Sequence, residues 1–170
     1  MRFLIFIFFF FSLQILIAQE TYTPTKIKEN EVNLDGILSE KIWKDATKIP
    51  LDIEFSPANN LQAKKKTTAY ISYSDTYLFI AVHAEDDPKN IRASIRPRDD
   101  FNIWNDDLVM VRLDPFADAR NNLALAVNSL GSQFDVKQVN ALSDSDRYDS
   151  TFNMNFESKS AVINDGYTVE

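Results

Sequence analysis

The sequence predicts an all-β fold: an antiparallel β-sandwich of the immunoglobulin-like or jelly-roll-like kind, with one short N-terminal helix. Two observations lead to this prediction. Seven or more short segments have the alternation or the apolar run of a strand, and each of the three glycines falls at a predicted turn. The length of 170 residues suits one domain with a substantial core.

The composition excludes several classes of function. The chain has 25 acidic and 18 basic residues, a net charge of −7, no cysteine and one histidine. It therefore has no disulfide, no thiolate zinc site and no cysteine nucleophile, and it has no multi-histidine metal site. An acidic chain is also a poor binder of nucleic acid, because contacts to phosphate supply most of that affinity.

The first 18 residues are predicted to be a secretory signal peptide. Arg2 precedes a mostly apolar run from Phe3 to Ala18. This run is shorter than a helix that spans a membrane, which needs about 20 residues. We expect cleavage after Ala18, with residues 19–31 as a polar lead-in and residues 32–170 as the domain. The alternative, an uncleaved anchor, would export the domain as well.

The elements of the predicted sandwich follow in order along the chain. Ser39 is expected to cap a short helix that carries Ile42, Trp43 and Ala46 on one side. Alternation from Thr67 predicts a half-buried strand, and an apolar run predicts a central strand that completes a hairpin with it. The central strand and those after it are expected at Tyr77–Val82, Leu108–Leu113, Leu123–Val127, Gln133–Val139, Phe152–Glu157 and Tyr167–Val169. Because the last strand is cut off at Glu170, we expect the chain to be a fragment.

Aspartates are concentrated in the long polar connection and the strand after it. Eight of the seventeen lie between Asp86 and Asp118. Clustered carboxylates repel one another unless a cation, a hydrogen bond or solvent compensates them, and Ca²⁺ prefers oxygen ligands. The sequence therefore predicts a structural Ca²⁺ with Asp86, Asp99 and Asp106 among its ligands. The alternative is a solvated acidic rim that is partly neutralised by arginines, namely Arg92, Arg96, Arg98 and Arg112.

Trp104 lies in the same connection, beside Asn102, Asn105 and two aspartates. An aromatic ring among amides and carboxylates suits a sugar, whose apolar face stacks on the ring while its hydroxyls meet the polar groups. The alternative is that the indole folds back over the core of the sandwich. Trp43 is expected in the core, because Ile42 and Ala46 share its side of the helix.

Catalysis has little support in the sequence. His83 ends the most apolar strand, where a structural role is more common than that of a base. No Gly-x-Ser-x-Gly elbow occurs. A pair of carboxylates, as in a glycosidase, can be chosen in many ways from 25 acidic residues and is therefore not a specific signal. We therefore predict that the chain is not an enzyme and that it has no organic cofactor.

The order of several motifs resembles the family 9 carbohydrate-binding-module-like domains. Leu34-Asp35-Gly36-Ile37-Leu38-Ser39-Glu40 followed by Ile42-Trp43-Lys44-Asp45-Ala46 resembles the opening of those domains. The later landmarks are Lys66-Thr67, Tyr77–Val82, Glu85-Asp86, Asn105–Asp114, Asn128 with Gly131, and Asp165–Glu170. The resemblance covers about residues 32–170.

Two further motifs resemble one branch of the family. Arg98-Asp99 and Asp114-Pro115-Phe116-Ala117-Asp118-Ala119-Arg120 are similar to the N-terminal domain of large outer-membrane proteins of unsettled function, in which a barrel-forming region follows. This resemblance implies a domain at the periplasmic face or cell surface, associated with the outer membrane through a downstream region, or a secreted one.

The resemblance implies a β-sandwich that binds sugar between two tryptophan rings, with structural Ca²⁺ nearby, as a module attached to xylanases. Trp104 matches one ring, and Asp107 and Asn128 become candidate partners of the sugar hydroxyls. The second ring lies beyond Glu170, is replaced by an aromatic such as Tyr148, or is absent. The first hypothesis is thus non-catalytic binding of a xylan- or cellulose-like polysaccharide or oligosaccharide in polysaccharide breakdown. The alternative is a structural or interaction domain of an outer-membrane protein that does not bind sugar.

Overall fold

The computed structural model describes residues 20–57, 59–139, 143 and 147–170. The predicted signal peptide and its cleavage site lie outside the described residues. In the described part, the chain forms a short helix, α1, at Lys41–Asp45, together with three 3₁₀ turns and twelve strands. The strands are β1 Thr25–Lys26, β2 Thr47–Pro50, β3 Ile53–Glu54, β4 Leu61–Gln62, β5 Thr67–Tyr73, β6 Leu78–Glu85, β7 Leu108–Leu113, β8 Asn121–Asn128, β9 Gln133–Val139, β10 Tyr148–Asp149, β11 Ser160–Ile163 and β12 Gly166–Val169.

Two sheets form the body of the domain. Sheet I has the order β1-β5-β6-β12-β11, with β2 also paired to β5, and sheet II has the order β10-β9-β8-β7. Among the described strands, β1 and β5 are parallel and the other pairs are antiparallel, and β3 and β4 form a separate two-stranded sheet. Val127 of β8 packs against Tyr167 and Val169 of β12, so the two sheets face each other across a shared core. The predicted β-sandwich is confirmed.

The strands with the clearest sequence pattern are confirmed. The predicted hairpin is β5 and β6, in a register that pairs Tyr70 with Ala81. β7 and β9 have the predicted bounds, and β8 is longer than predicted at both ends. Each of these strands is paired along most of its length and packs one face on a core, which keeps its apolar pattern regular.

The predicted N-terminal helix is reduced to a single turn. α1 has five residues, and Ala46 after it already has an extended backbone that leads into β2. The prediction that Ser39 caps the helix is wrong, because Glu40 is the N-cap residue and its side chain makes no capping hydrogen bond. The β-branched residues Thr47 and Ile49 pair with β5 instead of prolonging the helix.

The prediction of a strand at Phe152–Glu157 is also wrong. This segment is extended, but side chains of β9 and its neighbours hold it instead of a backbone ladder. Met154 N donates to the buried carboxylate of Asp135 at 2.6 Å, and Arg98 donates to Met154 O at 2.7 Å. Alternation in the sequence reports which side chains face inward, not whether a neighbouring strand pairs with the backbone.

The N-terminal segment covers the outer face of sheet I. Trp43 and Ile42 pack with Ala46 against Ala81, at the centre of β6, and all four residues are buried. This cluster contains the tryptophan and the alanine of the sequence motif, so the motif encodes a core. The prediction that Trp43 lies in the core is confirmed.

One carboxylate ties the beginning of the domain to its last strand. Glu170 Oε1 accepts a hydrogen bond from Trp43 Nε1 at 2.8 Å, and Oε2 accepts one from Gly36 N at 2.7 Å and one from Asp35 N at 3.1 Å. Gly36 has a φ of +87°, and a β-carbon there would lie 2.8 Å from the backbone of Ser160. Only glycine fits this approach of the two chain segments.

Candidate functional site

The exposed aromatic residues of the polar connection lie on a 3₁₀ turn, Phe101–Asn105. Asp100 is its N-cap, and its side chain accepts a hydrogen bond from Asn102 N at 2.9 Å. Ile103 anchors the turn in a cluster with Ala126, Phe134 and other residues of the outer face of sheet II. The connection is therefore an ordered cover on that face.

Two exposed rings of this turn contact the same buried ring, that of Phe134. Trp104 and Phe101 are 45% and 55% exposed, and the centroids of their rings lie 5.4 and 5.2 Å from that of Phe134, which is 1% exposed. Both contacts are edge-to-face, with interplanar angles of 70° and 74°. Because residues i and i+3 of a 3₁₀ helix are eclipsed, the two side chains share one side of the turn.

Trp104 combines the two roles considered for it. The indole packs edge-to-face with Phe134 of the core, and nearly half of its surface is open to solvent. Phe101 supports it as a second ring, which the sequence argument missed. The signal was present, since a three-residue spacing of Phe101 and Trp104 in a short turn places both rings together.

Two exposed amides, Asn102 and Asn105, lie on the same turn as the rings. The side chain of Asn102 donates to Asp100 Oδ1 at 2.7 Å, and that of Asn105 donates to Asn102 O at 3.2 Å. Each amide keeps an oxygen and a further N–H for which no intramolecular partner is described. By the same three-residue period, Asn102 and Asn105 share the side of the turn next to that of the rings.

Asp106, directly after the turn, is the centre of a nearly buried polar network. Its side chain is 4% exposed and accepts two hydrogen bonds from Arg96, both at 2.8 Å. It also accepts one from Asn128 Nδ2 at 2.8 Å and one from Ser94 N at 3.3 Å. The Arg96 guanidinium, followed by the amide of Asn128 and the backbone of Ser94, holds the pKa of Asp106 well below its usual range.

The prediction that Asn128 contacts sugar hydroxyls is not supported, because the residue is 0% exposed and its bonding capacity is filled. Its amide donates to Ser94 O and to Asp106, both at 2.8 Å. Its carbonyl oxygen accepts from Leu130 N at 3.1 Å and Ser132 N at 2.9 Å. Two donors and two lone pairs are thus used inside the protein.

Asp107 faces the other side of sheet II from Trp104. It lies two residues before Val109, and alternate residues along a strand share one face. Val109 packs in the inter-sheet core, whereas Trp104 stands on the outer face. Its Oδ2 accepts a hydrogen bond from Arg92 N at 2.6 Å. Burial, and then the charges of Asp107 and Asp86, raise the pKa of Tyr167 to about 12. The three predicted sugar-contact residues are therefore not brought together.

The three aspartates predicted to bind Ca²⁺ have separate protein partners. Asp86 pairs with Lys65 at 3.0 Å, which lowers its pKa, and Asp99 accepts a hydrogen bond from Asp135 N at 3.0 Å. Asp106 is committed to Arg96. In residues 20–57, 59–139, 143 and 147–170, no group of three or more acidic or histidine side chains is placed to hold a metal ion. These carboxylates do not fit a shared calcium site.

Stabilisation by calcium stays a prediction for the domain as a whole. If the acidic connection needs a bound cation, millimolar CaCl₂ raises the melting temperature of the chain relative to EDTA. If ion pairs already compensate the carboxylates, the two melting temperatures are equal. Differential scanning calorimetry at fixed ionic strength distinguishes these outcomes, with MgCl₂ as the control for general screening.

Tyr148, considered as the second ring, is exposed at the far end of the same face. It pairs with Gln138 on β9, four residues beyond Phe134, so it lies about 13 Å along the strand from the base of Trp104. That separation is too long for the two rings to enclose one pyranose. The other tryptophan, Trp43, is buried on sheet I.

His83 faces the outer side of sheet I, in register with Thr68 and Thr168. Its Nε2 lies 3.4 Å from Asp165 Oδ1, at an angle that does not make a hydrogen bond. This pair is remote from the rings on sheet II.

The described residues contain no helix that is both long and apolar enough to cross a membrane.

Comparison with known proteins identifies the family. No curated protein and no solved structure matches the chain. The family model described as carbohydrate family 9 binding domain-like matches residues 34–170, which are most of the chain and contain both sheets, apart from β1, and the exposed rings. The match supports carbohydrate binding in general and a binding module without catalysis. The chain belongs to the carbohydrate family 9 binding domain-like family.

Proposed function

We propose that the domain binds a carbohydrate on the two adjacent rings of Phe101 and Trp104. The observation that carries this proposal is the support of both exposed rings by the buried ring of Phe134, at 5.2 and 5.4 Å. A ring held in this way loses little conformational freedom when a ligand stacks on it. A buried indole would have no free face, and an unsupported one would have no fixed orientation.

The groups around the rings suit a sugar. The C–H face of a pyranose is apolar and covers an aromatic ring, while its hydroxyls need donors and acceptors at the edge. Asn102 and Asn105 supply exposed amide groups on the same turn, and they take the part that the sequence argument gave to Asp107 and Asn128. Neutral amides both donate and accept, as hydroxyls do.

The finer functional statements are also proposals. We propose a xylan- or cellulose-like ligand and a role in polysaccharide breakdown, on the resemblance of the motifs to modules attached to xylanases. Export follows from the predicted signal peptide, and association with the outer membrane from the two motifs at Arg98-Asp99 and Asp114–Arg120. Tyr148 offers a further ring along the same face, which favours an oligosaccharide over a single sugar.

Replacing Trp104 by alanine tests the proposed site. We expect at least a tenfold loss of affinity for xylo- or cello-oligosaccharides, equivalent to about 1.4 kcal/mol, because the larger ring is removed. Isothermal titration calorimetry of the wild type, Trp104→Ala and Phe101→Ala measures this loss. The matched control is Phe116→Ala, which removes another exposed aromatic side chain, 75% exposed, from a different loop. Equal loss of affinity in the control, or unchanged affinity in Trp104→Ala, contradicts the proposed site.

A specific observation favours the second candidate, an interaction domain without sugar binding. Of the two tryptophans, only Trp104 is exposed, so the described residues supply no second indole to enclose a ligand. A glycan array probed with the folded wild-type protein decides between the candidates. Absence of binding across xylans, glucans and mannans would favour the interaction domain.

A further inference from the structure

Arg112 is an exposed arginine on the outer face of sheet II. It lies on β7 two residues after Met110, which packs in the outer-face cluster with Ile103, so the two side chains share that face. Arg96 and Arg98 are each paired with an aspartate that is nearly or fully buried. For Arg112, no acidic side chain of the described residues lies within ion-pairing distance. It therefore does not neutralise the acidic connection by direct pairing.

The Arg112 side chain is held in place across the sheet. Its Nη1 donates to Gln138 Oε1 at 2.8 Å, and its Nε lies 3.2 Å from Met110 Sδ. Arg112 is on β7 and Gln138 is on β9, so the side chain crosses β8 near Ala124, the residue paired with Arg112. Gln138 itself is only 7% exposed. The guanidinium is thus positioned by a nearly buried amide, at the end of the outer face that is far from Trp104.

The guanidinium has donors left for a ligand. An arginine side chain has five N–H groups, and the contacts to Gln138 and Met110 use two of them. The other three have no partner among the described residues. Asp114, two residues further along β7, accepts hydrogen bonds from Phe116 N and Ala119 N of its own loop instead. Parallel N–H groups in a planar fork match the two oxygens of a carboxylate.

Tyr148 and Asn122 lie in the same row of the sheet as Gln138. The register places Tyr148 of β10 opposite Gln138 on one side and Asn122 of β8 opposite it on the other, so the three side chains share the outer face. Tyr148 is exposed and carries a ring with a hydroxyl group, and Asn122 carries an amide. A fixed cation beside an exposed ring and polar side chains suits a sugar that carries a carboxylate.

We propose that Arg112, positioned by Gln138 and flanked by Tyr148, binds the carboxylate of a uronic acid. This inference rests on the proposed function, because the sugar chain that stacks on Trp104 brings the carboxylate to Arg112. Gln138 lies four residues beyond Phe134, about 13 Å along the strand, so one sugar does not extend from the rings to the guanidinium. The ligand class is therefore a polysaccharide with uronic acid residues, rather than unsubstituted xylan or cellulose.

The charges of the protein restrict this class further. The chain has a net charge of −7, which repels a polymer with a carboxylate on every residue. The turn that carries the rings begins at Asp100, so the sugar bound there is neutral. A mainly neutral backbone with occasional uronic acid branches, as in glucuronoxylan, satisfies both conditions.

Two forms of one polysaccharide test the proposal. Glucuronoxylan and the same polymer after chemical reduction of its carboxyl groups to alcohols differ only in those groups. We expect the wild type to bind the acidic form about tenfold more tightly in isothermal titration calorimetry at fixed ionic strength. Arg112→Gln is expected to bind the two forms equally. Arg112→Lys is expected to keep only part of the preference, because an ammonium group does not form two parallel hydrogen bonds with a carboxylate.

Arg92→Gln is the matched control. Arg92 is another exposed arginine, and its backbone N–H bonds to Asp107, on the other side of sheet II from Trp104. The substitution removes the same charge, so a general electrostatic effect would lower the preference for the acidic form as much as Arg112→Gln does. We expect the full preference to remain in Arg92→Gln. Circular dichroism of each variant checks that it is folded.

The possible results separate this inference from the proposed function. Equal binding of the two forms by the wild type, with both lost in Trp104→Ala, would overturn the inference and leave the stacking site in place. An unchanged preference in Arg112→Gln, or an equal loss of preference in Arg92→Gln, would also overturn it. Absence of binding to either form would contradict the proposed function and this inference together.

Discussion

Trp43→Ala is expected to lower the free energy of unfolding by about 3–5 kcal/mol, as for other buried aromatic side chains. The indole is 2% exposed and packs in a buried cluster with Ile42 and Ala81. Its removal leaves a cavity and also takes away one of the three donors that Glu170 accepts from. Chemical denaturation at pH 7, followed by circular dichroism, measures the loss.

The second tryptophan is the matched control for this prediction. Trp104→Ala is expected to cost about 1–2 kcal/mol of unfolding free energy, since nearly half of the indole surface is already exposed and the ring makes one edge-to-face contact, with Phe134. Trp43→Ala is therefore expected to cost more stability than Trp104→Ala, whereas Trp104→Ala is expected to cost more affinity for sugar. Equal losses of stability would contradict the assignment of Trp43 to the core and Trp104 to the site.

A double-mutant cycle isolates the hydrogen bond between Trp43 and Glu170. In Glu170→Gln, one carboxylate oxygen is replaced by an amide N–H₂, which is a donor. It faces either the indole N–H or the backbone N–H groups of Asp35 and Gly36, so at least one of these donors loses its acceptor. Trp43→Phe removes the indole donor, so Glu170→Gln should cost less in that background. Strictly additive effects would contradict a direct bond.

Asp106→Asn is the second large effect that we expect, at about 2–4 kcal/mol of unfolding free energy. The substitution keeps the shape but removes the charge that Arg96 pairs with. It also replaces one acceptor oxygen by a donor, facing the donors of Arg96, Asn128 and Ser94. Asp75→Asn is the control, because that carboxylate is 85% exposed and pairs with Lys26, which is itself exposed.

The pH dependence gives an independent measure of Asp106. Because its pKa is lower in the folded protein than the ordinary value of 3.8, the unfolded chain binds the proton more readily. Its contribution to stability is complete above about pH 4 and is lost as the pH falls through the folded pKa. Asp106→Asn should remove this loss, so the stability curves of wild type and variant converge in acid.

Calcium dependence separates the ion pair from a metal ligand. If Asp106 acts through Arg96 and Asn128, the effect of Asp106→Asn on the melting temperature is the same in CaCl₂ and in EDTA. If Asp106 binds calcium, the difference between wild type and variant shrinks when the ion is chelated. Parallel melts of both proteins give the answer.

The strands were predictable where burial imposes a pattern on the sequence. β7 is one example, because it is paired along its length to the central β8 and its bounds agree with its apolar run. The extended segment at Phe152–Glu157 was not distinguishable from a strand. Its alternation is real, but Arg98 and Asp135, which hold Met154, are distant in sequence.

The candidate site was predictable in part for a similar reason. Trp104 is evident as a large ring in a polar connection, but the sequence does not report that Phe134, thirty residues later, lies beneath it. Asn128 looks like a ligand because it is polar, whereas its burial follows from the fold of β8 against the loop at Ser94. The type of a polar residue does not show whether its side chain is exposed or buried. That depends on the groups that the side chain contacts in the folded protein.

The bonds between Glu170 and the Asp35-Gly36 turn also determine when the domain completes its folding. They join residues 134 and 135 positions apart, and the indole bond spans 127 positions. During synthesis the N-terminal motif emerges first, but the carboxylate that organises it emerges more than a hundred residues later. Such distant contacts fold slowly, because a long loop must close before they form. The apolar side chains packed around Trp43 all belong to residues 27–81, so they are available to one another once β6 has left the ribosome. The indole N–H and the Asp35-Gly36 turn, in contrast, wait for their acceptor until Glu170 has followed.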